Sequence, residues 1–389
     1  MKMDQPFAAF PESEHRERLS RAREKIRQAG LAGCICVAPE NIYYLIGYDS
    51  IAYFNYQALI ISAEEDSEPA LVIRNVDLPL VKETSWIKDI RTYHLHATDI
   101  AKMVADVARE KGLREGRIGI DLQSYALPGA YALPLVKALE PVQVEDATEL
   151  LGSLQYIKSE REMVYIREAA KYANIGLQTA RKTLKAGITE IELAAAIEGD
   201  MRAAGSDCWA VPTELASGPR TAGGHAAPMP RVIEPGDLVH VEFAGVARRY
   251  HVVALHTMAV GEPNAHAREI YDLTLESLRA GIRECQLGNS VANIEKASLK
   301  PLEREGLAHT AMMRFGLGIG IGYPPVWVGS FQIDRYSNQI LEPGMVFYIH
   351  ACLELVDEGI GTVQGASYYV NPTGIEMLAG GGDVELDIV

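Results

Sequence analysis

Long hydrophobic runs are missing from this sequence. No stretch approaches the roughly 20 consecutive apolar residues of a membrane-spanning helix, so no membrane association is expected. Basic residues are in the minority: 37 Lys and Arg against 52 Asp and Glu give a formal net charge of −15. That balance argues against nucleic acid or an anionic membrane as a partner, because both are held by clustered Lys and Arg. It leaves the substrate open, since the local charge of a pocket can oppose the global sign. Cysteine is scarce. Cys34, Cys36, Cys208, Cys285 and Cys352 are odd in number and widely scattered, which suits a reducing, cytoplasmic compartment rather than a disulfide framework. Cys34 and Cys36 alternate within Gly33-Cys-Ile-Cys-Val37 and read as one face of a buried strand, without the further ligands of a metal site. The start, Met1-Lys-Met-Asp-Gln-Pro6, has no apolar signal region and runs into a polar helix.

What remains is an ordinary globular balance, 48% hydrophobic and 23% charged over 389 residues, a length that suits two domains. The first part alternates helix and strand. Helices are expected over Glu14 to Gln28 and Ile100 to Lys111, and strands over Gly33 to Val37, Ala58 to Ser62, Ala70 to Ile73 and Arg117 to Asp121. This is an α/β domain of residues 1–155. From residue 156 the character changes. Ser159 with Glu162 and Thr189 with Glu192 have the capping-box spacing, in which each side chain satisfies a free backbone N–H at a helix start. Two more long helices are expected over Asn264 to Glu284 and Ser290 to Glu305. Strands are expected over Leu238 to Ala244, Tyr250 to Val260, Met345 to Glu354 and Ser367 to Val370. Helices set apart from hairpin-like strand pairs predict an α+β domain of residues 156–389, with helices on one face of a curved antiparallel sheet.

This second domain repeats itself. Ile233-Glu-Pro-Gly-Asp-Leu-Val-His-Val-Glu242 aligns without a gap on Leu341-Glu-Pro-Gly-Met-Val-Phe-Tyr-Ile-His350. In both, a Pro-Gly turn opens an alternating strand. Glu242 and His350 therefore occupy equivalent positions, from which both can face one cleft. Gly316-Leu-Gly-Ile-Gly-Ile-Gly322 misses the spacings of nucleotide loops. Its alternating glycines permit close approach by another segment or a ligand, and Tyr323 and Trp327 follow as an aromatic rim suited to a flat or cationic ligand.

Several segments together resemble the creatinase–aminopeptidase ("pita-bread") family along essentially the whole chain. They are Asn41-Ile-Tyr-Tyr-Leu-Ile-Gly47, Ile157-Lys-Ser-Glu-Arg-Glu-Met163, Pro235-Gly-Asp237 and Glu342-Pro-Gly344. The resemblance implies a pita-bread C-terminal domain behind a creatinase-type N-terminal domain, in a homodimer. The peptidases of that family hold two metal ions with two Asp, one His and two Glu. The matching positions here read Glu242, Val253, Leu317, His350, and Gly365 or, one residue earlier, Gln364. Two donors do not make a dinuclear centre, so no metal and no cofactor are expected. Ser217-Gly-Pro-Arg-Thr-Ala-Gly-Gly-His225 resembles the loop that carries the catalytic histidine of the creatinase branch. Glu242-Phe-Ala-Gly-Val-Ala-Arg-Arg-Tyr-His251 is similar to the ectoine-hydrolase branch.

The expected activity is hydrolysis of a C–N bond in a small amidine, guanidine or amide. His225 is the proton shuttle, because imidazole titrates in the useful range. Glu242 and His350 join it as catalytic candidates, since a charged or polar group on an apolar strand is costly without a purpose or partner. Arg220 is a candidate for a substrate carboxylate. Tyr250, His251, Tyr323, Trp327, Gln364 and, from the first domain, Tyr53 are candidates for substrate contact. His256 alternates with apolar neighbours and reads as structural, and His94 and His96 stand apart from other ligands. The rival readings are an Xaa-Pro-type metallopeptidase of the same fold and a non-catalytic, peptidase-like binding protein.

Overall fold

The computed structural model describes residues 6–311, 315–329, 331–382 and 384–389; the first five residues of the N-terminal stretch considered above lie outside it. The chain divides into two compact units, Met1–Gln155 and Tyr156–Val389.

The first unit comprises α1 (Glu12–Gln28), β1 (Gly33–Cys36), α2 (Pro39–Ile46), β2 (Ala58–Ser62), β3 (Ala70–Arg74), α3 (Leu78–Thr84), β4 (Asp89–Tyr93), α4 (Ile100–Glu110), β5 (Arg117–Ile120), α5 (Gly129–Leu139), β6 (Gln143–Asp146) and α6 (Thr148–Gly152). Its six strands form one mixed sheet in the order β4-β3-β2-β1-β5-β6. Ile35, Val72, Ile118 and Ile120 of the sheet pack with Val104 and Ala108 of α4 and Leu135 and Leu139 of α5. Cys34 and Cys36 are buried and free, and burial pushes the Cys34 thiol up to about 12. The Asn41-to-Gly47 motif acts locally. Asn41 Nδ2 donates to buried Asp121 at 3.0 Å, and Gly47 ends α2 in the left-handed region at φ 75°. Tyr53 is half-buried beside Phe54, while Tyr56 belongs to the core against Tyr131.

The second unit comprises α7 (Glu160–Thr183), α8 (Glu190–Ala203), β7 (Glu214–Ser217), β8 (Leu238–Ala247), β9 (Tyr250–Ala259), α9 (Ala265–Glu284), α10 (Val291–Arg304), β10 (Gly316–Gly318), β11 (Gln332–Ile333), β12 (Val346–Leu355), β13 (Ile360–Asn371), β14 (Gly374–Gly380) and β15 (Asp387–Ile388). Both capping boxes form, at Ser159 for α7 and Thr189 for α8. The nine-stranded sheet runs β11-β10-β12-β13-β9-β8-β7, with β14 added on β13 and β15 on β9.

Alternation sorts the strand residues between two faces. One face carries the helices. Phe243 and Gly245 lie against α7, where a Cβ on Gly245 would run into the carbonyl of Ala169. Phe347 and Ile349 pack with Leu278 of α9 and Ile294 of α10. The repeated Glu-Pro-Gly turns both place their glycine in the left-handed region, Gly236 at φ 87° and Gly344 at φ 96°, which only glycine adopts without strain. Identical turns thus deliver β8 and β12 into the sheet in equivalent registers.

Candidate functional site

Strand register builds the site. In antiparallel ladders, residues directly opposite one another point to the same face. Glu214 pairs with Glu242, Glu242 with Leu255, Leu255 with Gly365, and Gly365 with His350. One row therefore crosses five strands, β7-β8-β9-β13-β12, on the face opposite the helices. The neighbouring row adds Val253 opposite Ala244, and Leu317 opposite Tyr348. Glu242, Val253, Leu317, His350 and Gly365 thus share one face although they come from five strands. Glu242 and Tyr348 face each other across intervening strands, so this face is concave.

Alternation along β12 brings Tyr348, His350, Cys352 and Glu354 to the cleft. His350 is buried, its ring lies 5.1 Å from that of Tyr348, and its Nδ1 is 3.2 Å from Cys352 Sγ. Such a pair invites comparison with a nucleophilic thiol. The surroundings oppose it: burial, then the charges of Glu242, Glu354 and Glu214, push the Cys352 thiol well above its ordinary value, and the nucleophile is the thiolate. Burial likewise raises the carboxyls of Glu242, Glu214 and Glu354 above the usual carboxylate range. For Glu242 the adjacent Glu214 adds to the effect; for Glu214 and Glu354 the facing His225 counters it.

His225 is exposed in the loop after the turn Gly218–Ala222. Two ties hold that loop. Leu215 N–H donates to the Ala226 carbonyl at 2.9 Å, laying the loop back along β7 and beside Glu214. Buried Glu190, in the first turn of α8, accepts from Ser217 N at 2.8 Å, Ser217 Oγ at 2.7 Å and Met229 N at 2.9 Å, and pairs with Arg220. Arg220 also donates to the Ala227 carbonyl at 2.9 Å. Its guanidinium is thus committed to a buried carboxylate and to its own loop, which corrects its expected role as receiver of a substrate carboxylate.

Other expected contacts are also redirected. Tyr250 points to the helix face, where its hydroxyl donates to Glu162 at 2.9 Å. Gln364 lies one residue from the cleft-facing Gly365 and so points the opposite way, bonding His256 Nδ1 at 2.9 Å and the Gly382 carbonyl at 2.9 Å. His256 completes that set with Asp387 at 2.7 Å, as a structural histidine does. His251 does face the cleft side of β9, but both ring nitrogens are used: Nδ1–H donates to the Arg249 carbonyl at 2.8 Å and Nε2 accepts from Ala210 N–H at 2.9 Å. Burial lowers its pKa to about 4, so it is a neutral brace. Tyr323 and Trp327 are buried rather than forming a rim. The Arg249 guanidinium covers the Tyr323 ring at 4.4 Å, and Trp327 packs against His251. The glycine strip serves the protein's own packing, with Phe331 over Gly318, Lys158 over Gly320 and His251 over Gly322. Tyr53 belongs to the first unit.

Glu214, Glu354, Tyr348 and His240 were not singled out in the sequence. Three carried a readable signal, the alternation Tyr348-x-His350-x-Cys352-x-Glu354 and the placement of His240 two residues before Glu242. Glu214 sits on a four-residue strand with no periodicity to read.

The donor set can be tested against a dinuclear metal centre. Val253, Leu317 and Gly365 offer no ligand atom, leaving one carboxylate and one imidazole where two divalent ions need several more donors. Among the described residues, no three His, Cys, Asp or Glu side chains gather as metal ligands. The residues present do not fit a two-metal site.

Comparison with known proteins agrees with this architecture. Residues 18–157 match the creatinase/prolidase N-terminal domain, and residues 164–377 match metallopeptidase family M24. An uncharacterised hydrolase/peptidase of Sinorhizobium fredii is 27% identical over 381 residues, covering 95% of this chain and 96% of that protein. Ectoine hydrolase of Halomonas elongata is 26% identical over 397 residues, covering 97% and 98%. Among solved structures, prolidase from Thermococcus sibiricus superposes with a TM-score of 0.86 at 20% identity, covering 96% of this chain and 99% of that one. An Xaa-Pro dipeptidase from Bacillus anthracis does so with a TM-score of 0.82 at 22% identity, covering 96% and 100%. These likenesses establish the two-domain pita-bread fold. With more than half its length matched, the chain belongs to metallopeptidase family M24 and is a hydrolase of that family with a creatinase/prolidase N-terminal domain.

Proposed function

We propose that this protein hydrolyses a C–N bond in a small nitrogenous compound (a cyclic amidine, guanidine or amide) without a metal ion. The observation that carries the reading is the cleft face itself, on which Val253, Leu317 and Gly365 stand beside Glu242 and His350. Without a metal, a side chain must activate water, and a neutral imidazole is the suitable base. His225, exposed in its anchored loop, takes a proton from the attacking water as the C–O bond forms. The resulting imidazolium faces Glu214 and Glu354, whose charges stabilise it. It then returns the proton to the departing nitrogen as the C–N bond breaks, so atoms and charge balance. Glu242 and His350 line the floor on which the substrate is positioned. The same reading takes the protein as a cytoplasmic homodimer acting on a small molecule.

Turnover assays with ectoine, creatine and simple amidines, each with and without EDTA, test it. Release of an amine or ammonia that EDTA leaves unchanged is the expected result. Cleavage of an Xaa-Pro dipeptide only on addition of a divalent transition metal would replace it with the metallopeptidase reading.

A further inference from the structure

Among the described residues, the cleft carboxylates Glu214, Glu242 and Glu354 have no Lys or Arg of their own; Glu214 and Glu354 face His225, and no cationic side chain faces Glu242. All three nevertheless act on one point, the Cys352 thiol. Glu214 and Glu242 are direct cross-strand neighbours, where like charges destabilise a sheet. Carboxylates withdrawn from water and facing each other are costly unless something positive lies between them.

Two buried groups on the same face are also incomplete. Tyr348, 1% exposed, directs its hydroxyl at Glu242, yet that oxygen closes no well-formed hydrogen bond among the described residues. His240, 1% exposed and two residues before Glu242 on β8, has neither ring nitrogen partnered among them. Buried polar atoms of native proteins are almost always satisfied, so the Tyr348 hydroxyl aimed at Glu242 points to a ligand at the carboxylates, whereas His240 lies nearer the Glu190–Arg220 pair.

We infer that this ligand is the substrate in cationic form, an amidinium or guanidinium, and that Glu214 and Glu354 are residues that hold it. This rests on the reading of the protein as a C–N hydrolase and narrows it, favouring amidines and guanidines over amides. An amidinium is planar, positively charged and offers only N–H donors to its sides, the complement of acceptor-only carboxylates. A neutral amide has N–H donors on one side only and carries no charge, so it makes fewer and weaker bonds to the same carboxylates, which supplies discrimination as well as affinity. Glu214 at one end of the row beside Glu242, and Glu354, four residues beyond His350 on the same strand face at the other end, place acceptors at both ends of the cleft.

Calorimetry with matched probes tests this on the full-length protein. Acetamidinium is compared with neutral acetamide, and methylguanidinium with methylurea, at mildly alkaline pH. Each cation should bind at least about tenfold more tightly than its neutral counterpart. Glu214→Gln and Glu354→Gln should each weaken the cation about tenfold while changing the neutral probe less than about twofold, in the range of a lost charge-assisted hydrogen bond. The aspartate variants should recover part of the loss. Equal binding of cation and neutral probe, unaffected cation binding in both Gln variants, or no binding of any probe overturns the inference. Should a Gln variant not fold, the wild-type comparison of charged and neutral probes still decides. Turnover is read separately. A protein that prefers the cations but cleaves no C–N bond keeps this inference and loses the hydrolase mechanism, whereas one that hydrolyses amides alone does the reverse.

Discussion

His225 combines two properties that the other cleft histidines lack. It is exposed in a loop, and among the described residues its ring faces two carboxylates without being bound to backbone. His251 has both nitrogens occupied, and His240 is sealed from solvent. A general acid–base residue contributes about 10²–10⁴-fold, so His225→Ala should lower kcat by that order and leave the melting temperature nearly unchanged. Undiminished turnover in a folded variant would leave His225 with a packing role only. At this scale the sequence was legible where residue type met an unusual setting. An acid and a histidine at matching places in two apolar strands were found, and so was a histidine in a glycine-rich loop. Tyr250 was misread because it follows a tight turn, and only the register tells which side of the sheet the first residue of β9 faces.

Elements hold these residues in place through glycines that admit close neighbours. A Cβ at Gly361 would collide with the Thr221 carbonyl, in the turn that leads to the His225 loop. Gly361→Ala should therefore push that loop away from β13. Overpacking of this kind costs about 1–3 kcal/mol, so the variant should melt several degrees lower, and its activity should fall further than stability alone explains. A Gly361→Ala protein with wild-type melting and turnover would show that the loop gives way freely. Helices were the most legible elements, since α7, α8 and α9 announce themselves by capping residues and periodicity. The first half of β13 was not. Gly361-Thr-Val-Gln-Gly365 lacks hydrophobic alternation, because its cleft side is kept small and its other side carries hydrogen-bonding groups such as Thr362 and Gln364.

Across the whole molecule, burial of His15, His240 and His251 holds each imidazole near a pKa of about 4, against 6.5 ordinarily. Between those values the unfolded chain binds more protons than the folded one, so this contribution is complete above about 6.5 and is lost as pH falls through 4. Glu242 and Glu214, with raised values, act in the opposite sense over the range above ordinary carboxylates. The comparison that isolates the histidine term is His251→Gln, whose melting temperature should change less between pH 6.5 and 4 than that of the wild type. An identical pH profile would show that His251 is not buried neutral. The absent donors at Val253, Leu317 and Gly365 predict no stoichiometric transition metal in purified protein and activity insensitive to EDTA. About two tightly bound ions per chain by elemental analysis would instead restore metal catalysis. The proposed homodimer should appear at twice the 42.6 kDa chain mass in light scattering at micromolar concentration, and a monomer alone would contradict it.

The sequence by itself determined the two-domain layout, the helices and the paired Glu-Pro-Gly turns, because caps, periodicity and turn chemistry are local and act within a few residues. Through the family resemblance it also pointed to Val253, Leu317 and Gly365, whose side chains carry no donor atom. Only the tertiary structure decided which polar residues meet. The row from Glu214 through Glu242 to His350 joins strands distant in sequence through their pairing. A shift of one position in that pairing moves a side chain to the opposite face of the sheet, as the separation of Gln364 from Gly365 demonstrates.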